Sequence, residues 1–72
     1  MNILYVDDRY ESTELIELLD KTDIEYEIHS EYEARRKGYD SLPLLVVDDK
    51  AMTYKKAKRY AEKRVIWNDN VG

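Results

Sequence analysis

The chain has 72 residues, a net charge of −4, no cysteine and a single proline. That length suits one domain with a small core and only a few kcal/mol of stability. The lack of cysteine excludes disulfides, thiolate metal sites and cysteine nucleophiles. No apolar run approaches the ~18 residues needed to cross a bilayer. The opening Met1–Asp8 lacks the basic and apolar regions of a signal peptide, so a cytoplasmic protein with no membrane association is expected.

Taken in order, Ile3 to Val6 is a short apolar run that stops at Asp7-Asp8, which predicts a strand covered on both faces. From about Tyr10 to Lys21 the spacing is helical. Leu15, Leu18 and Leu19 form one stripe with Ile16 at its edge, and Glu11, Glu14, Glu17 and Asp20 line the opposite side. Asp8 or Ser12 is expected to cap this helix. Glu25 to His29 alternates with period two. Tyr26 and Ile28 should face inward, while Glu25, Glu27 and His29 face out on a charged edge strand.

Glu31 to Lys37 has room for about two turns of helix, stopped by Gly38. Pro43 opens the next strand and Leu44 to Val47 fill it, because proline cannot donate to a ladder and is tolerated at a strand start. Asp48-Asp49-Lys50 predicts a hairpin turn, with Ala51 to Tyr54 as the returning strand. Lys55 to about Arg64 is the final helix. Ala57, Tyr60, Ala61 and Arg64 should face inward, and Lys55, Lys56, Lys58, Arg59 and Lys63 outward. Ile66 or Trp67 is expected to pack back, and the last residues to fray. The domain is placed at 1–66, with a tail at 67–72.

Charge is divided along the chain. Residues 1–33 hold eleven acids and two bases, and residues 34–72 hold ten bases and five acids. This predicts attraction between an acidic first helix and a basic last helix lying side by side on one face of the sheet. The net negative charge argues against direct nucleic-acid binding.

The resulting order is β-α-β-α-β-β-α, an α/β fold. The first two strands are parallel, the last two form an antiparallel hairpin, and helices cover both faces of a four-stranded mixed sheet. This order resembles the minimal thioredoxin fold, and the local residues resemble glutaredoxins in particular. Ile24-Glu25-Tyr26-Glu27 is similar to that family's second strand, and Gly38-Tyr39-Asp40-Ser41-Leu42-Pro43 to its glycine-to-proline element. Leu44 to Asp49 is similar to its third strand and turn, with Asp49 where glycine is usual. Ala57 and Tyr60 match positions of its last helix. The resemblance covers residues 2–64. It implies a sheet order of 2-1-3-4, a cis Leu42–Pro43 bond, and a backbone at Leu42 open to an extended peptide or glutathione.

The departures from that family bear on function. Aligning Leu15 and Leu19 with the family's first helix places Arg9-Tyr10-Glu11-Ser12 on its Cys-x-x-Cys. Thiol–disulfide exchange needs a thiolate, and serine cannot replace one. The usual Gly-Gly after the last strand is also absent. The resemblance therefore implies a redox-inactive, non-enzymatic module without cofactor. Its protein-binding surface would comprise Arg9, Tyr10, Ser12, Leu42 and Pro43. Proteins of this size and type are common in bacteria and their phages, so an adaptor or inhibitor of a host protein is expected, as a monomer or weak homodimer.

Other readings are a glutathione or small-peptide binder, an acidic mimic of nucleic acid built on Glu11, Glu14, Glu17 and Asp20, and a truncated receiver-like domain. The last rests on Asp7-Asp8 and Asp48-Asp49, which each end a strand. In the expected topology the two pairs lie at opposite ends of the sheet and cannot share an ion. Turn and cap roles suit them better. His29, the only histidine, lacks the companions of a zinc site. Ser12 has no candidate histidine base nearby. Among the seven tyrosines, Tyr5, Tyr26 and Tyr60 suit the core, while Tyr10, Tyr32, Tyr39 and Tyr54 are less easily buried.

Overall fold

The structure, a computed structural model, describes residues 2–66. The elements are β1 (Ile3–Tyr5), α1 (Tyr10–Leu19), β2 (Glu27–His29), α2 (Glu31–Arg36), β3 (Leu44–Val47), β4 (Lys50–Thr53) and α3 (Tyr54–Glu62). The sheet order is β2-β1-β3-β4. β1 is parallel to β2 and antiparallel to β3, and β3 is antiparallel to β4. Element order, the parallel β1–β2 pair and the β3–β4 hairpin are those the sequence predicts, and the sheet order is the one the resemblance implies. Trp67 and the tail fall outside the described residues.

The two central strands are the most apolar, and alternation divides them between two layers. Leu4 pairs with Leu45 across the β1–β3 ladder, and both join Leu15, Leu19, Ala57 and Ala61 in one fully buried cluster beneath α1 and α3. Tyr5 and Leu44, also paired, face the other way and meet Ala34 of α2. Tyr39 and Leu42 extend that second, thinner layer.

The turns follow from local chemistry. Gly38 has a φ of 87°. Its N–H donates to Arg35 O at 3.0 Å, and the Tyr39 N–H donates to Ala34 O at 2.9 Å. These two bonds make the left-handed C-terminal stop of α2. Ser30 caps the other end, its hydroxyl accepting from the Glu33 N–H at 3.3 Å. Asp48 and Asp49 have φ values of 50° and 68°, the paired left-handed conformation of a two-residue hairpin loop. The Leu42–Pro43 bond is cis, as the resemblance implies.

Several local expectations are corrected. α1 ends at Leu19, and the Thr22 hydroxyl donates to Leu19 O at 2.6 Å where the chain turns away. Neither Asp8 nor Ser12 caps α1. Arg9 is the N-cap residue and has no side-chain cap bond. β2 is only three residues long. Glu25 and Glu27 are exposed and Tyr26 packs on the core as expected, but Ile28 and His29 differ from the prediction. Ile28 is 51% exposed, because β2 is the sheet edge and the α1–α3 cover lies over the central strands. His29 is half-buried, its ring edge-on to Tyr5 at 5.5 Å between centroids. Its Nε2 lies 3.1 Å from Glu27 Oε1 and its Nδ1 3.3 Å from Glu33 Oε2. Nε2 is hydrogen-bonded to the β2 carboxylate, while Nδ1, buried near the α2 carboxylate, has no hydrogen-bond partner among the described residues.

β4 and α3 each begin one residue earlier than predicted, with no loop between them. Arg64 is exposed and stacks at 3.9 Å on the Tyr60 ring, instead of facing the core. Ile66 is 62% exposed. What holds the chain after α3 is backbone: Val65 bridges Thr22, and the Ile66 N–H donates to Lys21 O at 2.9 Å.

The acidic and basic helices lie side by side, as the charge division predicts, but the attraction is made at one point. Glu14 accepts from the Tyr54 hydroxyl and lies 3.8 Å from Lys58 Nζ. The bond to Glu14, with burial adding to it, raises the Tyr54 pKa to about 12. Tyr26 is pushed to a similar value, about 12, by burial first and then by its 2.8 Å bond to Asp20.

Candidate functional site

Antiparallel pairing of β3 with β1 decides what meets at the site. The chain leaves the parallel strands β1 and β2 at the same end of the sheet, and it enters β3 at that end too. Three segments far apart in sequence therefore converge: Asp7-Asp8-Arg9 after β1, the first turns of α2 after β2, and Asp40-Ser41-Leu42 before β3. They enclose an open groove of about 310 Å³, lined by those six residues with Glu31 and Arg35. Crevices at the carboxyl ends of parallel strands are the common ligand sites of α/β sheets.

The floor of the groove is fixed by Asp7. Its carboxylate Oδ1 accepts from the Ser12 hydroxyl at 2.7 Å and from the Arg9 N–H at 3.1 Å, while the Asp7 N–H donates to Ser12 Oγ at 3.0 Å. This reciprocal pair closes the turn into α1 from inside its first turn, where the predicted cap is missing. Ser12 is 2% exposed as a result.

The rim is charged. Arg9 Nε lies 3.5 Å from Asp7 Oδ2, yet the arginine side chain stays 69% exposed. Arg35 reaches back along α2 to Glu31, with Nε at 3.0 Å and Nη2 at 2.6 Å from Oε2. Four carboxylates (Asp7, Asp8, Glu31 and Asp40) face two guanidiniums (Arg9 and Arg35), so the lining is negative overall.

The five residues the sequence singles out divide accordingly. Arg9 and Leu42 line the groove together. Tyr10 is 74% exposed at the start of α1, but it is not part of the lining. Ser12 and Pro43 are buried beneath it, so they shape the site without offering their side chains to a partner. The sequence reading missed Asp7, Asp8, Glu31, Arg35, Asp40 and Ser41 as lining residues. The Asp7-Asp8 pair at a strand end and the Glu31–Arg35 i,i+4 spacing were the available signals.

Comparison with family models, curated proteins and solved structures gives no match. The site must be judged on its own chemistry. The chain has no thiolate, and Ser12 is buried against a carboxylate with no imidazole beside it. Among the described residues no group of three or more His, Cys, Asp or Glu is arranged to hold a metal ion. The Glu27–His29–Glu33 cluster cannot do so in this geometry, because its two carboxylates flank different nitrogens of one ring. No helix among the described residues is long and apolar enough to cross a membrane.

The groove offers polar contacts to a ligand. Neither the backbone N–H nor the C=O of Leu42 has a hydrogen-bond partner among the described residues. An extended chain laid along the groove could pair with both.

Proposed function

We propose that this chain is a redox-inactive, glutaredoxin-like protein-binding module, an adaptor or inhibitor that holds an extended segment of a partner along the Leu42 loop. The observation that carries this reading is the unpaired Leu42 backbone, set in a groove whose opposite wall is Arg9. An unpaired amide and carbonyl beside a strand start are a template for one more stretch of extended chain. Arg9 adds an exposed guanidinium for a side chain or carbonyl of that segment, and the exposed ring of Tyr10 follows it in the chain, outside the lining. Without sulfur, and with Ser12 buried, the groove binds and does not turn over.

The lining charge narrows the ligand. Four carboxylates against two guanidiniums suit a segment that brings a lysine or arginine. Glutathione brings two carboxylates of its own, which would have to approach Asp7, Asp8, Glu31 and Asp40. The protein segment is therefore the stronger reading.

The test is photo-crosslinking in cells from a reactive residue placed at the exposed Ser41. A discrete partner adduct should form, and Arg9→Ala/Tyr10→Ala should abolish it while leaving the circular dichroism unchanged. An adduct of undiminished yield in that variant would refute the site. Chemical shifts confined to the groove on adding glutathione, with no protein adduct, would move the assignment to the small peptide.

A further inference from the structure

Helix α3 carries charges that its own folding does not favour. Lys55 and Lys56 lie in its first turn, with no acid beside them, although the N-terminal end of a helix dipole is positive and disfavours cations. Lys55, Arg59 and Lys63 follow one another at i,i+4 spacing, where like charges repel. Lys55, Lys56, Arg59 and Lys63 are all exposed. The ion pair found on α3 among the described residues is Lys58 with Glu14, and it uses none of those four. The attraction between the acidic and basic halves is thus spent at Glu14, and the outer bases are left over. Lys55 and Lys56 oppose the dipole of their own helix and no ion pair among the described residues offsets them, which marks a surface kept for something outside the fold.

Lys55, Lys56 and Arg59 border a shallow groove of about 570 Å³, which Tyr54, Lys58 and Glu62 also line. It shares no lining residue with the Leu42 groove. We infer that the outer face of α3 is a second docking surface, one that takes an acidic peptide segment of a partner protein. Charge complementarity gives the sign of the ligand, and the neighbouring helix limits its width. α1 packs beside α3, at the roughly 8–10 Å spacing of adjacent helices, and places Glu11 and Glu14 near Tyr54. A nucleic-acid duplex is broader than that spacing. Its phosphates would come within about one Debye length, ~8–10 Å, of the α1 carboxylates. A single acidic chain is narrow enough to follow the Lys55–Arg59–Lys63 row, about 6 Å per step, without crossing α1.

The experiment is fluorescence anisotropy on the full chain with a short labelled oligoglutamate, in parallel with a labelled DNA duplex. The oligoglutamate should bind at low ionic strength and weaken as salt rises. Lys55→Glu/Arg59→Glu should weaken it at least tenfold, about what losing one charge-assisted contact implies. That variant exchanges one like-charge pair, Lys55 with Arg59, for a pair of glutamates, and gains an attraction between the second of these and Lys63. Its circular dichroism and melting temperature should therefore stay close to those of the native chain, which separates lost binding from lost fold. Arg9→Ala, at a residue that lines only the Leu42 groove, should leave oligoglutamate binding unchanged, so this surface can fail while the Leu42 groove stands, and the reverse. No oligoglutamate binding, or binding indifferent to the double reversal, would overturn the inference. So would tighter binding of the duplex, or self-association of the chain that the reversal abolishes, because the surface would then belong to nucleic acid or to a second copy.

Discussion

The two faces of the sheet are built from the same two central strands and differ in nearly everything else. Beneath α1 and α3, six aliphatic residues are fully buried together. Beneath α2 the buried set is Tyr5, Ala34 and Leu44, and α2 contributes only its alanine. The first face has two helices and a continuous apolar layer. The second has one short helix, a loop and the charged groove at its end. Burial of aliphatic area is the main source of stability, so the α1–α3 face should hold the fold. The α2 face gives up cover, and in exchange it leaves polar groups of the Leu42 loop accessible.

The sharpest way to break this contrast is to delete one leucine from each side of β3. Leu45→Ala should cost about 2–5 kcal/mol, enough to unfold most molecules of so small a domain at room temperature, as followed by urea denaturation. Leu44→Ala should cost less, because its surroundings are thinner and can relax. Equal losses would mean that the two faces share the load.

Ser12→Ala comes next. It strips the Asp7 carboxylate and the Asp7 N–H of a partner each, and a loss of about 1–3 kcal/mol is expected from unsatisfied polar groups. Arg9 should become disordered with it, seen as loss of the Arg9 amide's dispersion in an NMR spectrum. Gly38→Ala should cost about 1 kcal/mol, for forcing a side chain into left-handed backbone. The space around that position is open, so the cost is conformational and not steric. Asp49→Gly should do the opposite and raise the melting temperature slightly, since glycine takes a positive φ freely.

The smallest effect concerns pH. Tyr26 and Tyr54 have pKa values raised from the ordinary tyrosine value near 10 to about 12. The folded state keeps these protons when the unfolded chain has begun to lose them. The stability they contribute is therefore complete below pH 10 and is lost between pH 10 and 12. Melting curves of the native chain and of Tyr26→Phe across that window should differ, with the variant declining less steeply. Parallel declines would mean that the Tyr26–Asp20 contact does not hold in solution.

Much of this organisation is local and was legible in the residues. Four branched apolar residues after Pro43 can only be a covered strand. The Leu15–Leu19 stripe on an acidic helix can only face a core. A glycine after α2 and paired aspartates between apolar runs fix where the chain turns. Each signal lies within a few positions, because periodicity and turn chemistry act over that range. The parallel first pair of strands and the closing hairpin followed once these elements were in sequence, whereas the sheet order was implied by the resemblance to glutaredoxins.

What the tertiary structure alone decided is which loops meet and which side chains remain outside. The groove joins residues 7–9, 31–35 and 40–42, a convergence produced by β3 entering where β1 leaves. Ser12 and Pro43 lie under that junction, so their burial depends on segments distant in the chain. Ile28 is exposed and His29 half-buried because β2 ended at the sheet edge, where α1 and α3 do not reach and Tyr5 and Glu33 do. Among the described residues the exposed bases of α3 make no ion pair, because only Lys58 falls on the side that meets Glu14. In each case the deciding force, contact or its absence, acts across space between residues that the sequence keeps apart.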